Sequence, residues 1–149
     1  MRKRRIKMGA DLYIKNLDRQ KQYTGFRTDV EVGYFRDCYN SYGLFNFLRS
    51  NLTEEYSWWA FNKKRGWFNR DRELTVKGAE KLLKLMESAK ERLIGRGTYF
   101  LKIWNPDTDH DDTKKLSRDE TIEYMTWLDQ LIEFLHKAIE LRSPVIWSV

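Results

Sequence analysis

The residues best equipped for chemistry lie between Tyr34 and Phe68, a stretch that holds 12 of the chain's 22 aromatic side chains. They are interleaved with Arg36, Arg49, Lys63, Lys64 and Arg65, and with the polar group Arg36, Asp37 and Asn40. Aromatic faces beside cationic donors suit a base joined to a phosphate: the rings stack, and a guanidinium fork or an ammonium neutralises the anion. On a helix, Arg36 and Asn40 share a face one turn apart, with Asp37 holding the guanidinium in place. The candidate ligand-binding set is therefore Arg36, Asp37, Asn40, Trp58, Trp59, Lys63 and Arg65. A plainer reading makes Tyr34, Phe35, Trp58, Trp59 and Phe61 core, with Arg36 and Asp37 an internal pair.

Other clusters fall short of a reactive site. Glu133 and His136 have the Glu-x-x-His spacing of di-iron helical proteins, but such sites need a second copy and further glutamates, and the only other histidine is His110. Asp107, Asp109 and Asp111 match the first three ligand positions of a calcium loop. Asp112 then stands where glycine is needed, and Arg118 where the bidentate glutamate belongs. With one thiol, Cys38, and two histidines, no nucleophile lies beside a base, and no phosphate-binding glycine loop occurs. No catalytic residue, metal site or cofactor is assigned.

The element that must hold these residues in place is a helix expected over Ser117–Arg142, opened by the capping box of Ser117 and Glu120. Met125, Leu128, Ile132, Leu135 and Ile139 form one seam, and Tyr124, Trp127, Leu131, Phe134, Ala138 and Leu141 a second. Seams of that width require packing on several sides, leaving Asp129, Glu133, His136 and Glu140 as the polar strip. Helical spacing also runs from Val32 to Leu48, as one helix or, split by Gly33, Asn40-Ser41 and Gly43, as two short ones, and a further helix is expected from Asn51 through Trp59. Thr75 is expected to cap a helix that stops at Gly95. Ala10–Leu17 and Thr98–Trp104 alternate as strands, residues 18–29 and 107–112 read as loops, and Pro144–Val149 is β-prone and suited to pair with the first strand. The expected fold class is α+β, predominantly helical: a long buried C-terminal helix (117–142) packed by shorter helices, with a small sheet of N-terminal, 98–104 and C-terminal strands.

A chain of 149 residues with 41% hydrophobic content suits one globular domain over 8–149. Its net charge of +6 is concentrated in a leader, residues 1–7, expected to be a disordered basic arm; the remainder carries 23 basic against 22 acidic groups. A single cysteine and no apolar run of bilayer length point to the cytoplasm and away from membranes. A homo-oligomer is compatible with the composition.

The start Met8-Gly-Ala-Asp-Leu-Tyr-Ile14, the block Tyr34-Phe-Arg-Asp-Cys-Tyr-Asn40, the Trp58-Trp59 pair and the Leu-Thr-x-x-Gly helix opening at Leu74–Gly78 resemble a family of small uncharacterised phage, prophage and bacterial proteins. The resemblance implies a cytoplasmic, phage-associated accessory protein, and it carries over no catalytic residue. Cys38 stands where the pattern leads one to expect a serine, which argues against a catalytic thiol. The leading functional reading is a non-enzymatic protein that binds a nucleotide or nucleic acid through the aromatic and basic site and counters host defence. The alternative is an inhibitor or assembly factor that docks on a host protein through an exposed aromatic patch. A metal-dependent enzyme using the aspartate loop or the Glu133 and His136 strip is the third.

Overall fold

Ala10, Leu12 and Ile14 alternate with Asp11 and Tyr13, and this period of two sends the first three fully into the core. They build β1 (Gly9–Ile14), an inner strand of a four-stranded antiparallel sheet. The computed structural model describes residues 9–17, 28–38 and 40–148; the leader 1–7 and most of the polar stretch 18–29 lie outside the described residues. One neighbour of β1 is β2 (Tyr34–Cys38) and the other is β6 (Val145–Ser148), with β3 (Glu73–Leu74) added beyond β6. The β-prone Pro144–Val149 segment thus does reach the first strand, Leu12 standing opposite Trp147.

Two of the expected helices are different. Tyr34–Cys38 is a strand rather than helix, and the helix of this region, α1 (Leu44–Asn51), starts only after Gly43. Phe35 and Asp37 are buried and Arg36 and Cys38 only partly so, but a carboxylate in one core-facing position and a buried Tyr34 on the other face hide the alternation from a sequence reading. Asn51 ends α1 instead of opening a helix. A 3-10 turn (Glu54–Tyr56) follows, and Ser57 caps the short α2 (Trp58–Asn62).

Thr75 caps α3 (Val76–Leu93) by accepting from the Gly78 N–H. β4 (Phe100–Asn105) is a strand, yet it does not join the terminal sheet. It pairs with β5 (His110–Lys115) as a separate two-stranded hairpin, and the expected loop 107–112 supplies both the turn and half of that second strand. The capping box of Ser117 and Glu120 is present and opens α4 (Arg118–Glu140).

Among the described residues the fold is therefore α+β with two antiparallel sheets, 45% helical and 23% strand, which corrects the expectation of a predominantly helical domain. α4 is also less enclosed than its seams suggest. Leu128, Leu131, Phe134, Leu135 and Ala138 are buried against α3 and the sheet, where Phe134 meets Phe35 at 6.1 Å between ring centroids. Met125, Trp127, Ile132 and Ile139 are only partly covered, while Ile122 and Leu141 are exposed. The helix is packed on one side, with Leu131, Phe134 and Ala138 of the second seam buried beside Leu128 and Leu135 of the first, so that Met125, Ile132 and Ile139 make the rim of the core. Among the described residues, no helix is long and apolar enough to cross a membrane.

Candidate aromatic binding site

Asp37 organises the site from inside. Its carboxylate is fully buried and accepts four N–H groups: Cys38 at 2.7 Å, Leu44 at 2.6 Å, Phe45 at 3.3 Å and the Trp58 indole at 2.8 Å. The Leu44 and Phe45 donors are first-turn amides of α1, whose N-cap, Gly43, has no side chain to offer them. Asp37 caps that helix from the neighbouring strand. Gly43 is required for the approach, because a Cβ there would lie 2.1 Å from the Cys38 carbonyl oxygen. Burial raises the Asp37 carboxyl from its ordinary 3.8 to about 6, against the pull of the four donors toward the charged form.

One consequence of this anchoring lies at the surface. Trp58 is turned inward against Phe45 and Trp147, so the next residue on α2, Trp59, points out and is 51% exposed. Across from it, Trp104 is also 51% exposed, and its strand is held by polar side chains of the α1 region. Asn51 and Ser50 accept the N–H groups of Phe100 and Lys102, Asn46 donates to the Lys102 carbonyl, and Ser41 accepts the Trp104 N–H. Four side chains thus do for the edge of β4 what a third strand would do.

Trp59 and Trp104 line one cavity of about 250 Å³, together with Trp58, Arg49, Asn40, Asn46, Ser41 and Ser57. The Arg49 guanidinium lies 5.7 Å from the Trp59 ring centroid, within cation-π range. It is steadied by Asn46 at 2.7 Å, Glu54 at 3.0 Å and, more loosely, Asp111 at 3.5 Å. The result is a recess with two indole faces, amide and hydroxyl groups for edge recognition, and one oriented cation.

Of the residues singled out from the sequence, Asn40, Trp58 and Trp59 meet in this cavity. Asn40 caps its own turn by accepting the Tyr42 N–H. Arg36 and Asp37 instead border a second recess of about 450 Å³ between β2 and α4, where the Trp127 indole donates to the Arg36 carbonyl. Arg36 ion-pairs with Asp11 at 3.3 Å, not with Asp37. Lys63 and Arg65 are exposed in the turn after α2, Lys63 standing one helical turn beyond Trp59. The cavity also uses Arg49, Asn46 and Trp104, which were outside the expected set. The signal for Trp104 was the alternation of residues 99–104, which places Phe100, Lys102 and Trp104 on the face opposite buried Leu101.

The thiol and the candidate metal ligands are held in separate contacts. Cys38 is half-buried, and burial pushes its thiol above the ordinary value, away from nucleophilic thiolate. His136 faces Glu87 of α3 at 3.6 Å, Asp109 occupies the hairpin turn and Asp111 turns toward Arg49. Among the described residues, no three His, Cys, Asp or Glu side chains gather as a metal site.

Among the described residues, two antiparallel sheets and four helices surround a buried carboxylate, with an aromatic recess at the surface. Compared with known protein families, curated proteins and solved structures, the chain finds no match.

Proposed function

We propose that the chain is a non-enzymatic binding protein for a nucleobase-bearing ligand, a nucleotide or an unstacked base of single-stranded nucleic acid, held in the Trp59 and Trp104 recess. The observation that carries this reading is the pair of half-exposed indoles lining one recess of about 250 Å³ with an oriented guanidinium. Exposed indole faces are costly to keep in water and gain most by stacking on a flat ring, worth about 1–3 kcal/mol per base. Asn40, Asn46 and the serines supply donors and acceptors for a base edge, and Arg49, with Lys63 nearby, suits the phosphate. A phosphate reaching Arg49 would replace the loose Asp111 contact first. In the phage setting that the sequence resemblance implies, such a site would sequester a host signalling nucleotide.

The test is a titration of the intact chain with nucleotides, cyclic dinucleotides and short oligonucleotides, followed by tryptophan fluorescence and melting temperature. A ligand at 100 times its dissociation constant stabilises the fold by about 2.7 kcal/mol. Trp59→Ala and Trp104→Ala should each abolish the quench while leaving the unliganded melting temperature within a degree or two, as surface changes do. If no base-bearing ligand quenches or stabilises the chain, the reading fails. A stoichiometric, nuclease-insensitive protein partner whose capture is lost in the same two variants would assign the indoles to a protein interface instead.

A further inference from the structure

The hairpin of β4 and β5 has two edges, and they are treated in opposite ways. The outward backbone groups of β4 belong to Phe100, Lys102 and Trp104 and are taken up by Asn51, Ser50, Asn46 and Ser41. Leu101, Ile103 and Asn105 therefore point at β5, opposite Lys114, Asp112 and His110. By the same alternation, the groups of Asp111, Thr113 and Lys115 point away from the hairpin. All six residues of β5 are exposed, and among the described residues no strand pairs with that side.

An open edge is normally blunted by charges that repel a second strand. On β5 the charges are ordered so that they would not repel a second copy. The sequence Asp111-Asp112-Thr113-Lys114-Lys115 reverses its sign about Thr113. Antiparallel pairing centred on Thr113 sets Asp111 against Lys115 and Asp112 against Lys114, giving four opposite-charge pairs on the two faces of the joint. It also brings the outward-pointing residues together, as a hydrogen-bonded ladder requires. Shifting the register by two in one direction opposes Asp112 to itself, and in the other Lys114 to itself. The edge accepts one register and rejects its neighbours.

We propose that two copies of this chain pair β5 to β5 about a two-fold axis at Thr113, fusing their hairpins into a four-stranded antiparallel sheet. The interface is isologous, so the contact closes on a dimer. Lys115 makes no ion pair among the described residues and is available; Lys114, Asp112 and Asp111 have exposed contacts to Glu120, Asn105 and Arg49 that a partner's charges can share. The fused sheet carries Trp104 of both copies on one face.

Sedimentation and light scattering on the full chain test this without any ligand, so the outcome is separate from that of the binding proposal. At low salt and high concentration the mass should reach twice 18.1 kDa and fall toward the single-chain value as salt is raised. The Asp111→Lys, Asp112→Lys double variant should lose the dimer, as should the Lys114→Asp, Lys115→Asp double variant, and an equimolar mixture of the two should regain it. Should either double variant fail to fold by circular dichroism, Thr113→Pro, which deletes an outward N–H at the axis without altering charge, takes its place and must also lose the dimer. A wild-type chain that stays monomeric under all these conditions, or folded variants that dimerise as it does, overturns the proposal.

Discussion

Asp37→Asn preserves shape at the centre of the fold and removes its charge. In the wild type Cys38 and Leu44 donate to one carboxylate oxygen, and Phe45 and Trp58 to the other. An amide can serve one pair only. Its NH2 faces the other, leaving two donors unmet in a fully buried place at about 1–3 kcal/mol each. In the opposite direction, the variant no longer buries a charge. The rise of the carboxyl from 3.8 to about 6 corresponds to roughly 3 kcal/mol at 1.36 kcal/mol per unit. That rise already includes the pull of the four donors, so at neutral pH the two effects oppose each other. The pH dependence separates them. A raised folded value means that the native state keeps its proton where the unfolded chain has lost it, so Asp37 contributes most below its ordinary value and that contribution is lost as pH rises through about 6. Asparagine cannot titrate. The stability of the wild type relative to the variant should therefore rise by roughly 3 kcal/mol as pH is lowered from above about 6 to below about 4, measured by urea unfolding at each pH. A gap that stays constant across that window would refute the account of Asp37 as a charge held buried by its donors.

Gly43→Ala places a methyl 2.1 Å from the Cys38 carbonyl oxygen, where only backbone can yield; it should cost at least about 1–3 kcal/mol in chemical denaturation, although alanine is the better helix former. Ser117→Ala removes the acceptor for the Glu120 N–H and half of the capping box, and should lower stability by about 1 kcal/mol, seen as a drop of a few degrees in melting temperature.

The local signals in the sequence were the readable ones. Ser117 with Glu120, and Thr75 ahead of Gly78, mark helix starts because a cap is a contact over three residues and its chemistry is written within that window. The terminal sheet was legible from the alternation of Ala10–Ile14 and the β-prone end at Val145. Tyr34–Cys38 was not, because one of its core-facing positions is a carboxylate, Asp37, while Tyr34 is buried on the other face, so its apolar residues fit helical spacing by chance. His110–Lys115 was hidden for the opposite reason: exposed on every side, it carries no hydrophobic mark at all. The recess shows the same limit. Trp59 was evident as an aromatic in a rich segment, whereas Arg49 and Trp104 join it through a long-range fit between α1 and β4 that no local window contains. The role of Asp37 depended on donors from three elements, of which only Cys38 was adjacent.

The two sheets differ in when they can form. The hairpin of β4 and β5 closes across a turn of a few residues, so its ladder costs little loop entropy and can appear as soon as that stretch of chain exists. β1 pairs with β6, and close to that joint the Asn16 N–H meets the Ser143 hydroxyl across a separation of 127 residues. The loop closed by that pairing contains the four described helices and the hairpin, so an ordered assembly collapses the interior first and seals the sheet last. Until then β1 has only β2 beside it, and its other edge waits as a free template. The interval between synthesis of the first strand and arrival of the last is the period in which this chain is most open to mispairing.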